Sequence, residues 1–200
     1  MKAIMTTVVL CVALTGALRR LQNRAPAFFL SPTRPWKTVE TTVFWAGEPP
    51  TPGDPGNLRS AWDPIWHLNA LYENPFYFAL PYNDIEAGHT KPEAPSVIPW
   101  FRNAFVRDGQ SVLEGRWIAI RHNRRICYAQ WADVGPYHTD DVDYVFGSVR
   151  PKPHPRNDAA LDVSPAVRDY LGLSGLDTVD WRFVSCPAPG PWMTPVFARK

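Results

Sequence analysis

Twenty-two prolines spread along 200 residues rule out an architecture of long helices. Each proline fixes φ and removes a backbone donor, so helices stop near it and turns form readily around it. The segments between them are short and rich in β-branched and aromatic residues, the composition of strands on a half-buried surface. Thr41–Trp45, Phe76–Leu80 and Thr178–Val184 read as three such strands. Arg116–Ile120 and Ile126–Trp131 read as a hairpin around the basic turn 121–125, with either Trp117 and Ala119 or Ile118 and Ile120 on its buried face. Residues 48–56, 86–99 and 137–157 are proline-rich loops. A short helix is expected near Asp63-Pro64. A second is expected from Ser164 as N-cap, through Pro165 in the first turn, to Gly172 as its stop. The pattern implies a mainly β chain, a barrel or sandwich with one or two short helices.

At the amino terminus Lys2 precedes the apolar run Ala3–Leu18, of signal-peptide length. Thr15-Gly16-Ala17 and Ala25-Pro26-Ala27 offer small-x-small cleavage sites, whereas Arg19-Arg20 suits an uncleaved anchor. The expected organisation is a signal peptide or anchor at 1–18, a linker at 19–35 and a folded domain at 36–200. Export to the cell envelope, periplasm or medium is the expectation, with membrane contact only through the amino-terminal segment.

The formal net charge is only +2 and the cations are scattered among acids, which argues against nucleic-acid binding. No HExxH or CxxC pair suggests a metal site, and no glycine-rich phosphate loop succeeds a strand, so neither a metal nor a nucleotide or redox cofactor is expected. Of the three cysteines, Cys11 lies in the leader; Cys127 and Cys186 are either one disulfide or two unrelated thiols. Asp140-Asp141-Val142-Asp143 lacks the glycine and terminal glutamate of a calcium loop and reads as a solvated turn. The 9 Trp, 10 Phe and 7 Tyr supply core, and any left exposed would offer flat faces to sugars.

Three ordered segments carry a resemblance. Ala132-Asp133-Val134-Gly135-Pro136-Tyr137 resembles the D-x-G-P turn of RlpA-like and expansin-like proteins. Ala160-Leu161-Asp162-Val163-Ser164-Pro165-Ala166-Val167, with Leu171-Gly172 after it, resembles their D-L-S segment. Val179-Asp180-Trp181-Arg182-Phe183-Val184 is similar to their closing strand. The resemblance implies a six-stranded double-psi β-barrel with a polar groove, acting as a monomer on cell-wall glycan such as peptidoglycan or a cellulose-like polymer. Asp162 would then be the general acid of a lytic transglycosylase or endoglucanase, and Asp133 would support the site. Thr42, Tyr137, Trp131 and Asp84 would contact substrate, with Tyr144 and Trp192 as further stacking candidates. Asp133, Asp84, Asp63 and Glu48 are candidates for the second carboxylate that hydrolysis needs, and His89 for an upstream histidine. The alternatives are an expansin-like module that holds or loosens glycan without cutting it, a scaffold whose 137–157 loop meets proteins, and an Asp162 that merely caps the helix after it.

Overall fold

The structure, a computed structural model, describes residues 34–69 and 74–193. The expected leader at 1–18 and nearly all of the linker lie outside the described residues, as does Cys11. Among the described residues, no helix is long and apolar enough to cross a membrane.

Six strands close a barrel: β1 (Lys37–Val43), β2 (Tyr77–Leu80), β5 (Trp117–His122), β6 (Arg125–Val134), β7 (Ala159–Val163) and β8 (Asp177–Val184), joined in the order β1-β7-β2-β6-β5-β8. Two more strands, β3 (Ile85–Glu86) and β4 (His89–Thr90), pair only with each other. The barrel is mixed, because β1/β7 and β2/β6 run parallel while the other neighbours run antiparallel. Among the described residues, five one- or two-turn helices lie in the connections: α1 (Trp66–Asn69), α2 (Ala94–Val97), α3 (Phe101–Ala104), α4 (Val142–Val145) and α5 (Pro165–Leu171).

Alternation sets the interior. Cys127, Ala129 and Trp131 of β6 and Val179, Trp181 and Phe183 of β8 are buried. On β5 Ile118 and Ile120 are both fully buried and Trp117 stays partly exposed, while Ala119, on the Trp117 face, is buried as well. Leu161 and Val163 of β7 and Phe78 and Leu80 of β2 complete the filling.

The expected mainly β architecture holds, and three of its details need correction. There are more helical turns than the expected one or two, because 86–99 and the residues after it fold into α2 and α3. The segment around Asp162 is a barrel strand, β7, and Ser164 rather than Asp162 caps α5 by accepting from the Val167 N–H. Cys127 and Cys186 do not pair: the first is sealed in the barrel, and the second is exposed beyond the end of β8.

Candidate functional site

Strand register builds one row of side chains across four strands. Thr42 of β1 pairs with Asp162 of β7, Asp162 with Ala79 of β2, and Ala79 with Asp133 of β6. Leu161 and Val163 point inward, so the alternation turns Asp162 to the outer surface, where it is half-buried. Asp133 reaches the same row only through a β-bulge. Trp131 pairs with Phe78 but Asp133 with Ala79, leaving Ala132 as an extra residue in β6. That extra residue sets Asp133, two positions past the core residue Trp131, opposite Ala79 and so in the row of Asp162, although at 9% exposed it too is buried. Ala79, lying between the two acids, brings only a methyl group.

The two carboxyls are held differently. Asp162 Oδ1 accepts from the Thr42 hydroxyl. Burial raises its pKa to about 6 against the Thr42 bond, and the nearby charges of Asp133, Glu48 and Asp54 raise it further. Asp133 Oδ1 accepts from the backbone N–H groups of Ala61 and Val134, both at 2.7 Å. Burial raises its pKa to about 6 as well, despite those two bonds.

Two loops border Asp162. Gly135 has φ +151°, a conformation that side chains disfavour, and a Cβ built there would lie 4.0 Å from Asp162 Oδ2, in ordinary van der Waals contact, so the glycine sits directly beside the acid. Tyr137 comes two residues later, 39% exposed, its ring stacked on His154 at 3.6 Å between centroids. On the β1 side, Gly47 N–H donates to Asn57 O and Asn57 N–H to Glu48 O, closing a loop. Within it the Asn57 side-chain amide donates to Glu48 Oε2 at 2.9 Å. Arg156 joins the two loops by donating to Gly53 O.

The structure therefore brings together Asp162, Thr42 and Asp133, with Glu48 and Tyr137 in the flanking loops. Other expected residues lie elsewhere. Trp131 is 1% exposed and packs on Phe78 and Phe183, so its ring faces are spent in the core. Asp84 is fully buried and accepts from the Ser111 hydroxyl and the Val112 N–H; it is a loop clamp rather than a substrate contact. Tyr144 and Trp192 are buried too. Asp63 holds its own turn through the Ile65 N–H and the Asn69 amide. His89 pairs with Asp108. Asp140 pairs with Lys152, and Asp141 accepts from the Lys152 N–H.

Sequence reasoning does not single out Asp54, Trp45 or His154. Asp54 and His154 sit in loops whose paths no local pattern reveals. Trp45, expected within a strand, lies past the end of β1 and is 46% exposed. Among the described residues, no group of three or more His, Cys, Asp or Glu side chains could hold a metal ion. No family model and no curated protein matches the chain.

Proposed function

We propose that this chain is a double-psi β-barrel of the RlpA and expansin kind, exported to the cell envelope, where it acts on polysaccharide with Asp162 as general acid. The observation that carries the reading is a half-buried carboxyl with its pKa raised to about 6, in an outer row with Thr42 and bordered by the Gly135 turn. A carboxyl of that kind stays protonated in mildly acidic surroundings and can deliver its proton to a glycosidic oxygen. Thr42 donates to one carboxyl oxygen, which leaves the other to face substrate. Tyr137, two residues after Gly135 and 39% exposed with one ring face on His154, is the candidate platform for a sugar.

For hydrolysis a second carboxylate must activate water. Asp133 and Asp162 are separated by one intervening strand, so their backbones are roughly 10 Å apart. Asp133 spends one oxygen on two backbone donors, so Glu48 is the freer candidate. Lytic transglycosylation avoids the requirement, because a hydroxyl of the substrate attacks and one carboxyl serves as acid and base in turn.

The competing reading is an expansin-like module that binds glycan without cutting it, and the commitment of Asp133 to the Ala61 and Val134 backbone N–H groups favours it. Asp162→Asn, assayed on purified peptidoglycan and on cellulose, separates the two. The enzyme reading expects wild-type protein to release reducing ends or anhydro-sugars, the variant to lose at least ~100-fold in rate, and wild-type activity to fall as pH rises past about 6. Equal release by the variant ends that reading. Retention on insoluble glycan with no product from either protein establishes the binding module.

A further inference from the structure

On the side of the barrel away from the carboxyl row, the outer face of β5 and β8 carries an arginine that no acid neutralises. In the closed strand order β5 stands opposite β7, and β8 opposite β2. Arg182 of β8 pairs with Ala119 of β5, and Asp180 with Arg121, so the two arginines rise from one sheet face as diagonal neighbours. Trp36, the residue before β1, meets both. The Arg182 guanidinium carbon lies 4.4 Å from its ring centroid and that of Arg121 4.6 Å. Ala119 is 1% exposed although it belongs to this outer face, as expected beneath these larger side chains.

The charges on this face do not balance. Asp180 commits both oxygens, Oδ1 to the Thr38 hydroxyl and Oδ2 to Arg121 Nε and Nη2. It offsets Arg121, and among the described residues Arg182 has no carboxylate partner. Arg182 Nε is sealed from solvent without an acceptor, and the Trp36 indole covers the guanidinium face. What a partly exposed Arg182 can still offer is its Nη end, two coplanar N–H groups forming the fork that matches a carboxylate. One uncompensated cation calls for one monoanion.

Trp117 stands beside this fork. It pairs with Val184, two residues along β8 from Arg182 and on the same face, a diagonal separation of ~7–8 Å. It packs against the core and stays partly exposed. Among the described residues its indole N–H has no hydrogen-bond partner and is not sealed from solvent. An indole next to a guanidinium fork suits a sugar ring that bears its own carboxylate.

We infer that Arg182, backed by Trp36 and flanked by Trp117, is a binding site for a uronate, with the carboxylate on the Nη fork and the pyranose ring against Trp117. The site draws nothing from Asp162 and lies across the barrel from it, so it stands or falls apart from the proposed function.

The test is NMR titration of the full-length protein with digalacturonate, its neutral methyl ester and dimethyl phosphate. Digalacturonate is expected to shift the indole N–H signals of Trp36 and Trp117 and the Nε–H of Arg182, and to bind at least ~10-fold more tightly than either other probe. Arg182→Gln should lose at least ~10-fold in affinity for it. Arg182→Lys, which keeps the charge and the packing but lacks the fork, should also bind more weakly than wild type. Full affinity in either variant overturns the inference, as does a methyl ester bound as well as the acid. Dimethyl phosphate bound as tightly as digalacturonate overturns the choice of a carboxylate. Shifts confined to Thr42, Gly135 and Tyr137 overturn the site while leaving the proposed function standing, and no shift at Trp36, Trp117 or Arg182 overturns it outright.

Discussion

A carboxyl whose pKa is raised by folding is a destabilising feature at neutral pH, and Asp162 and Asp133 are both raised to about 6. The folded chain holds these protons more tightly than the unfolded chain, where an aspartate titrates at about 3.9. Below that value both states are protonated and nothing is lost. As pH rises from about 4 through 6 the folded state must give up protons it binds preferentially, so stability falls across that window and the full penalty stands above it. Asp162→Asn removes one such group. It is expected to raise stability at pH 7 by ~1–2 kcal/mol, a discounted figure because Asp162 is half-buried and coupled to Asp133. The gain should vanish near pH ~3.5, as measured by urea unfolding across pH; a gain that persists there would assign it to packing instead of charge. A variant that is more stable and inactive would mark a position kept for function at the expense of the fold.

At the scale of elements, α5 and the bulge in β6 show what local sequence can and cannot reveal. The helix is written in nearest-neighbour chemistry, with Ser164 as cap, Pro165 at the first turn and Gly172 in the left-handed conformation at its end, φ 73°. Both of its limits are therefore legible from a few adjacent residues. Ser164 also accepts from Tyr77 N–H and donates to Pro75 O at 2.7 Å, tying the α5 cap to β2. Ser164→Ala loses the cap and leaves buried partners unmatched, so a loss of about 2–3 kcal/mol in chemical denaturation is expected. A loss below about 0.5 kcal/mol would mean that water replaces the hydroxyl. By contrast, β7 is a five-residue run with four buried positions, so it carries no period-2 signature to mark it as a strand. The bulge at Ala132 depends on what β2 presents opposite β6, and no residue of β6 announces it.

For the whole molecule, barrel closure decides the fate of the cysteines. Cys127 faces the interior and burial pushes its thiol pKa well up, while Cys186 lies in solvent past β8. One of these two should react rapidly with a thiol reagent in native protein, and Cys127 only at the rate at which the barrel opens; a reducing agent should leave Tm unchanged. Rapid native labelling of both, or a Tm lowered by reductant, would contradict that arrangement. Local chemistry was enough to specify the mainly β class, the limits of α5 and the β5–β6 hairpin, because these rest on proline geometry, side-chain alternation and caps that act within a few residues. Chain assembly had to supply the rest: that Asp133 shares a face with Asp162, that Trp131 and Asp84 are spent inside, and that Glu48 and Asp54 bear on the acid's proton. Those facts depend on which strands become neighbours and in what register, and closing the barrel as a whole is what fixes both.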